Sequence, residues 1–111
     1  MAEDGDSSAQ FSLGRMYHYG FGVPQSISKA EFWLRKSANQ SNAEGQYSLG
    51  GLYYFGNGVP QDYILAHMWF SLSSIQGIEI ARKFRGHAEE KMTPDQIEKA
   101  KNLAKEWKSE K

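Results

Sequence analysis

Cysteine is absent from this sequence of 111 residues, and proline is scarce, with three residues. The missing cysteines exclude disulfide bonds and thiolate metal sites. They leave open the redox compartment in which the chain works. The apolar and charged fractions are ordinary, which predicts a globular domain rather than a disordered chain. At this length we expect a single repeat domain that spans residues 1–111.

Net charge is missing as well, because 13 basic residues balance 13 acidic ones. A nucleic-acid-binding protein usually carries a basic face, so nucleic acid is not an expected partner. Long apolar runs are also absent, and none approaches the roughly 18 residues that a membrane-spanning helix needs. Membrane insertion is therefore not expected.

The first ten residues are polar and acidic, and they lack the apolar segment of a secretory signal peptide. We therefore expect a cytoplasmic protein if the chain is complete. If an upstream signal peptide has been removed, we expect a periplasmic or secreted protein instead.

One stretch of the sequence occurs twice. Residues 13–25 read LGRMYHYGFGVPQ, and residues 49–61 read LGGLYYFGNGVPQ. The similarity extends outward, so that residues 5–40 align with residues 41–76 with about 14 identities over 36 positions. An internal period of roughly 20 to 50 residues is typical of a repeat array. We therefore divide the chain into repeat one (5–40), repeat two (41–76) and a remainder (77–111).

Each repeat is predicted to contain a helix, a turn and a second helix. Apolar residues spaced three and four apart predict helices at 7–19 and 27–39, and again at 43–55 and 63–75. Each of these helices follows a residue that can cap its first turn. These residues are Asp6, Ser26, Asn42 and Asp62.

The remainder begins a third repeat and then departs from it. A helix is predicted at 78–91, where Gly86 occupies the place of Gly50, but no glycine–valine–proline loop follows. A last helix is predicted at 94–108 because Thr93 and Gln96 form a capping box around Pro94. Its polar outer face is typical of the capping helix that ends a repeat array.

Two glycines of the repeated motif lie inside predicted helices. Gly14 and Gly50 would each cost about 1 kcal/mol relative to alanine there. Close approach of a neighbouring helix would offset that cost, and we expect Trp33 and Trp69 to pack nearby. A glycine that admits a ligand is the less favoured interpretation.

Residues that could carry catalysis or hold a metal form no recognisable pattern. The three histidines lack the i, i+4 partner of a helical zinc site. No Gly-x-Ser-x-Gly motif is present. We therefore expect no enzyme activity, no metal and no cofactor. A small hydrolase or a ligand-binding enzyme subunit is the competing class, and no residue set supports it.

The repeated residues resemble those of the Sel-one-like repeat family, whose members are tetratricopeptide-like. The match includes Ala9-Gln10, Leu13-Gly14, Gly22-Val23, Ala30 and Trp33 with their copies in repeat two. Repeat and resemblance together predict an all-α fold, a short right-handed α/α solenoid of two full helix-turn-helix repeats plus a partial third and a C-terminal capping helix. The resemblance implies a non-catalytic adaptor that binds a protein or a peptide.

Tetratricopeptide-like arrays curve, and by this resemblance the first helices of the repeats line a concave face that binds peptides. Tyr54 is expected to lie off the core stripe, because it follows Tyr53 on the helix and points about 100° away from it. Packing against neighbouring repeats, or exposure to solvent, is the alternative role for each single residue. The predicted partner-binding residues are Phe11, Arg15, His18, Tyr47, Gly51, Tyr54, Lys83 and His87.

A structural role is the second candidate function. The chain could be the C-terminal capping part of a longer repeat array. Its first helix has no capping repeat before it, so we then expect self-association through that helix.

Overall fold

Six helices follow one another, and the computed structural model describes them within residues 5–56 and 58–109. Repeat one contains α1 (Ser7–Tyr19) and α2 (Ile27–Asn39), and repeat two contains α3 (Ala43–Phe55) and α4 (Tyr63–Ile75). The remaining helices are α5 (Glu79–Glu89) and α6 (Pro94–Glu106). No strand occurs in these described ranges, so the predicted all-α class is confirmed.

The predicted helix boundaries agree with the structure for the four helices of the repeats. Helices α5 and α6 are each a little shorter than predicted, since α5 begins at Glu79 and ends at Glu89, and α6 ends at Glu106. Differences of one or two residues at a helix end are ordinary fraying. Residues 1–4 of the polar N-terminal segment and residues 110–111 of the predicted domain lie outside the described residues.

Side chains just before the helices explain where most of them begin. Asp62 accepts a hydrogen bond from the Leu65 N–H at 3.0 Å, and Asn42 accepts one from the Gly45 N–H at 2.8 Å. Such a cap satisfies one of the free N–H groups of the first turn. Only α5 starts without a side-chain cap, because apolar Ile78 stands at that position.

The glycine after each first helix ends that helix. Gly20 has φ 74° and Gly56 has φ 64°, which is the left-handed conformation that glycine adopts without strain. Glutamine side chains then tie the loop back to the helix. Gln25 donates to the carbonyl of His18 at 2.8 Å, and Gln61 donates to the carbonyl of Tyr54 at 2.9 Å.

Two further hydrogen bonds recur in both repeats and join the start of the first helix to the end of the second. The Ser37 hydroxyl donates to the carbonyl of Ser7 at 2.8 Å, and the Ser73 hydroxyl donates to the carbonyl of Ala43 at 2.8 Å. A glutamine pair lies beside each of them, with Gln40 donating to Gln10 at 2.7 Å and Gln76 to Gln46 at 2.9 Å. These buried polar groups are satisfied within each repeat and fix how its two helices meet.

The helical glycines lie against the second helix of their own repeat. A Cβ atom on Gly14 would approach the Leu34 side chain to 2.7 Å, and one on Gly50 would approach the Phe70 ring to 2.9 Å. Close helix approach is therefore confirmed, and the side chains that come nearest are Leu34 and Phe70 rather than tryptophans. Trp69 instead packs against Trp107, with 6.0 Å between ring centroids.

The helices build a short α/α solenoid whose extents are 41 × 28 × 21 Å. Its core runs through the second helices and α3, and is centred on Leu34, Leu49 and Phe70, which are wholly buried. Helix α1 packs mainly on α2, whereas α3 lies between α2 and α4. Helices α5 and α6 both pack on α4. None of the described helices is both long and apolar enough to cross a membrane.

Candidate functional site

A groove runs between the first helices of the two repeats. Its deeper part is a cavity of about 210 Å³ formed by the last turns of α1 and the facing side of α3. The spacing of three and four residues that brings side chains to one face of a helix brings Arg15, His18 and Tyr19 to this surface from α1. The lining residues are Arg15, His18, Tyr19, Tyr47, Ser48, Gly51, Leu52 and Phe55.

A second cavity of about 320 Å³ continues the groove toward the start of α5. Four residues line both cavities, namely Arg15, Tyr19, Tyr47 and Ser48. The second cavity adds Phe11, Glu44, Ile78 and Ile80. The two cavities therefore form one groove, which we call the α1–α3 groove, with Arg15 near its middle.

Arg15 gives the α1–α3 groove a permanent positive charge. Its guanidinium carbon lies 5.7 Å from the Phe11 ring centroid and 5.8 Å from the Tyr19 ring centroid. Cation–π contacts of this kind hold a guanidinium near aromatic rings without neutralising it. Within residues 5–56 and 58–109, Arg15 makes no ion pair. The arginine is therefore available to a carboxylate of a partner.

The rest of the α1 wall is aromatic. The His18 ring stacks on Tyr19 with 4.5 Å between centroids, and Tyr19 stacks on Phe21 at 5.4 Å. Burial lowers the pKa of His18, and the neighbouring charge of Arg15 lowers it further. The imidazole is thus neutral at pH 7, since the ordinary value is already near 6.5.

On the α3 wall, Tyr47 joins the groove to the core. Its ring centroid lies 5.9 Å from that of Phe70 and 6.2 Å from that of Phe84. Burial raises the pKa of the Tyr47 hydroxyl, and Tyr19 across the groove raises it further. Gly51 is different, because a Cβ atom there would meet nothing within 4 Å. The glycine therefore leaves open space in the groove that a larger side chain would fill.

The structure brings together five of the residues predicted for the concave face. Phe11, Arg15, His18, Tyr47 and Gly51 all line the α1–α3 groove. The remaining three, Tyr54, Lys83 and His87, line neither of its cavities.

The expectation that Tyr54 lies off the core is wrong. Its half-buried ring packs between neighbouring aromatic rings, with centroids 5.7 Å from Tyr63, 5.7 Å from Phe84 and 6.1 Å from Phe70. The cause is Phe84, which reaches this side of α3 from α5. The prediction used only the rotation of about 100° between Tyr53 and Tyr54 on α3. It did not include α5, which comes later in the chain.

Sequence reasoning missed two aromatic residues of the groove. Tyr19 and Phe55 are the last residues of α1 and α3, and their side chains are 52% and 62% exposed. They are 36 positions apart, so the repeat itself held the signal: an aromatic residue retained at a helix end that the core does not cover. Ile80 of α5 is also 48% exposed beside the groove.

In the described ranges, no three histidine, aspartate or glutamate side chains lie close enough to hold a metal ion.

Comparison with known protein families identifies the same two repeats. The family model for the Sel1 repeat matches residues 7–42 and again residues 43–78. The chain belongs to the Sel1 repeat family. Sel1 repeats generally mediate protein–protein interaction, and the family consists mainly of non-enzymatic scaffold proteins.

Solved structures show the same solenoid. A protective antigen of uropathogenic Escherichia coli strains, which displays this repeat fold, superimposes with a TM-score of 0.91 over 96% of the chain at 34% identity. A Sel1 repeat protein from Oxalobacter formigenes gives a TM-score of 0.73 over 76% of the chain at 28% identity. A sel1-like repeat-containing protein of Acanthamoeba polyphaga mimivirus is 49% identical over 41 residues, or 37% of this chain.

This Sel1 chain is short beside these relatives. It spans 23% of the E. coli antigen, 35% of the Oxalobacter protein and 7% of the mimivirus protein. The comparisons thus establish the family and the fold of the repeats.

Proposed function

We propose that this Sel1 chain is a protein-interaction module whose α1–α3 groove binds a short peptide or an exposed segment of a partner protein. The supporting observation is the groove itself, in which aromatic rings surround a guanidinium that has no ion-pair partner within residues 5–56 and 58–109. Interaction surfaces are enriched in tyrosine and arginine because these side chains combine apolar area with directed polar contacts.

The α1–α3 groove suits a peptide that combines aromatic or aliphatic side chains with one carboxylate. Arg15 would pair with the carboxylate, because guanidinium binds carboxylates with two parallel hydrogen bonds. Tyr19, Tyr47 and Phe55 would cover the apolar side chains. Neutral His18 adds no second charge and offers a ring nitrogen to a donor.

The experiment blocks the groove by replacing Gly51 with a larger residue. Peptides are selected from a random library displayed on phage, and their dissociation constants are measured by isothermal titration calorimetry. Gly51→Leu should weaken binding about tenfold or more, because the new side chain fills space in the groove that the peptide needs. Arg15→Gln should weaken the acidic peptides selectively.

Gly86→Leu is the matched control. Gly86 is also a helical glycine whose added Cβ would meet nothing within 4 Å, and it lies outside the groove. Its affinity for the peptides should equal that of the wild type. Equal affinity of Gly51→Leu and Gly86→Leu, with unchanged circular dichroism, would rule out the groove as the binding site.

A second candidate role is docking of repeat one onto another Sel1 repeat. Several α1 residues are less buried than their counterparts in α3. Met16 is 37% exposed where Leu52 is 3% exposed. Met16→Glu should abolish any concentration-dependent association seen by light scattering. The control is Ile75→Glu, which should not abolish it, because Ile75 is 78% exposed but lies at the end of α4. A wild-type monomer at millimolar concentration would count against self-docking.

A further inference from the structure

A third cavity lies away from the α1–α3 groove, among α4, α5 and α6. Its volume is about 480 Å³, which is within the range of ordinary small-ligand sites, and it is open to solvent. It shares no lining residue with the α1–α3 groove. We call it the α4–α6 cavity.

The α4–α6 cavity exists because α6 does not pack on α5 as a regular second helix would. In both repeats the second helix packs closely against the glycine of the first helix. Helix α2 approaches Gly14, and α4 approaches Gly50. Gly86 has the same place in α5, yet a Cβ atom there would meet nothing within 4 Å. Helix α6 instead packs on α4 through Trp107. A gap is left between α5 and α6, with α4 as its floor.

The equivalent junction between the repeats is filled by an arginine. There the Tyr53 hydroxyl donates to the Glu31 carboxylate at 2.7 Å. The Arg35 guanidinium donates to both of these groups. Residues of α2 and α3 are thus joined by a carboxylate, a second polar group and a cation.

At the next junction the same three positions, 36 residues later, hold His67, Ser71 and Glu89. His67 Nε2 donates to the Glu89 carboxylate at 2.7 Å, so the polar link between neighbouring helices is kept. The short side chain of Ser71 has replaced the arginine, and all three residues line the α4–α6 cavity. The cavity therefore takes the place that a guanidinium fills at the first junction.

The charges around the α4–α6 cavity are mainly positive. Arg85 from α5 and Lys101 and Lys105 from α6 line it, against the single carboxylate of Glu89. None of the three cations has a carboxylate within 4.0 Å in the described ranges, and Glu89 pairs with His67 instead. Lys101 and Lys105 are four residues apart on one helix face and repel each other. An anion in the cavity would relieve that repulsion.

The floor of the cavity offers a hydroxyl as well. His67 is wholly buried, and its Nε2–H is taken up by Glu89. Ser71 Oγ lies 3.4 Å from His67 Nδ1, which is long for a hydrogen bond from a hydroxyl. The Ser71 hydroxyl can therefore turn to a ligand, while the ring keeps its place through Glu89.

We propose that the α4–α6 cavity binds an organic anion that carries two carboxylates. Separate cations on α5 and α6 suit two carboxylates better than one compact ion. Ile75 and Ala104 supply apolar surface for the carbon chain between them. The same chemistry could come from a small dicarboxylic acid or from acidic side chains of a partner protein.

The test is an NMR titration of the full chain with glutarate, a five-carbon dicarboxylic acid. Amide signals of Ser71, Arg85 and Lys101 should shift in a saturable manner. The double variant Lys101→Gln/Lys105→Gln should weaken binding about tenfold or more, since the carboxylate that faces α6 loses both of its charged partners while Arg85 on α5 remains. The control Lys99→Gln/Lys108→Gln removes the same charge from exposed lysines outside the cavity. Its affinity should stay within about twofold of wild type.

Ser71→Arg gives an independent test, because it restores the residue that repeat one has at this position. The new guanidinium should enter the cavity and abolish glutarate binding, with the thermal midpoint equal to that of the wild type or higher. A Ser71→Arg chain that still binds glutarate with wild-type affinity would overturn the assignment.

Two further titrations distinguish a small dicarboxylic acid from a protein partner and test the preference for two carboxylates. An acidic peptide that produces the same shifts, and that binds more tightly than glutarate, would place the dicarboxylate on a partner protein. A weaker peptide would assign a small molecule. Equal binding of inorganic phosphate would contradict the dicarboxylate preference. Equal losses in the two lysine double variants, or no shift at Ser71 with either probe, would contradict the site.

Discussion

Repeat one and repeat two carry the same motif but are enclosed differently. Leu49 is wholly buried, whereas its counterpart Leu13 is only half-buried. Val59 is buried in repeat two, while Val23 is only half-buried in repeat one. Helix α3 is covered by α2 on one side and α4 on the other, but α1 is covered mainly by α2. A repeated sequence therefore specifies a packing partner, and burial follows only where the neighbouring unit is present.

Contacts within a repeat do not show this difference. The serine and glutamine hydrogen bonds and the close glycine approach occur in both units. The asymmetry lies in contacts between units, so paired substitutions at equivalent positions can separate the two kinds of interaction.

The largest difference is expected at the paired leucines. Leu49→Ala should lower the free energy of unfolding by about 2 to 5 kcal/mol, because a fully enclosed side chain leaves a cavity. Leu13→Ala should cost clearly less, since its side chain already meets solvent. Urea denaturation followed by circular dichroism measures both. Equal losses would contradict the difference in enclosure.

The paired glycines should behave alike. Gly14→Ala and Gly50→Ala should each cost about 1 to 3 kcal/mol through overpacking against Leu34 and Phe70. Gly51→Ala is the adjacent control, and it should stabilise the chain by up to about 1 kcal/mol, because alanine favours the helix and nothing obstructs it. A neutral Gly50→Ala would show that the close approach is not needed. The same urea denaturation applies.

The paired tyrosines probe the junction between repeats. Tyr53→Phe should cost about 1 kcal/mol, because its hydroxyl donates to Glu31 and accepts from Arg35. Tyr17→Phe should be nearly neutral, since the described residues give the Tyr17 hydroxyl no hydrogen-bond partner and Lys29 contacts only its ring. Thermal unfolding distinguishes them, and similar midpoints would remove Tyr53 from the junction.

Alkaline pH gives a related prediction. Burial, followed by the hydrogen bond to Glu31, raises the pKa of Tyr53 to about 12 from an ordinary value of 10.0. The unfolded chain therefore releases this proton first as the pH rises, so the stability from Tyr53 is present below pH 10 and is lost toward pH 12. Stability of Tyr53→Phe should fall less between pH 10 and pH 12. An identical fall in both proteins would contradict the raised pKa.

The smallest effect concerns His18, whose repeat-two counterpart is Tyr54. Its lowered pKa means that the unfolded chain binds the proton first on acidification. The contribution of His18 is therefore present above about pH 6.5 and is lost as the pH falls through the lowered value. An NMR titration should give a midpoint below 6.5, and Arg15→Ala should raise it only partly, because burial is the larger cause. A midpoint at or above 6.5 would contradict this.

The sequence was sufficient for the fold because its signals are local. Residues such as Asn42 and Asp62 cap helices through neighbours three residues away, and Gly20 ends α1 by its own conformation. The period then fixed how many units to expect.

The candidate sites depended on contacts that no local pattern describes. Tyr54 was misplaced because Phe84 approaches it from a helix about 30 residues away in sequence. The α4–α6 cavity went unpredicted because it arises from how α6 avoids α5. Its one sequence signal was the replacement of Arg35 by Ser71 at equivalent positions.

Native-state hydrogen exchange tests the central comparison most directly. Amides in the middle of α3 should exchange only through global unfolding, whereas those in the middle of α1 should exchange at least about tenfold faster through local opening of repeat one. Equal protection of α1 and α3 in the same sample would contradict the account, because repeat one would then be held as firmly as repeat two.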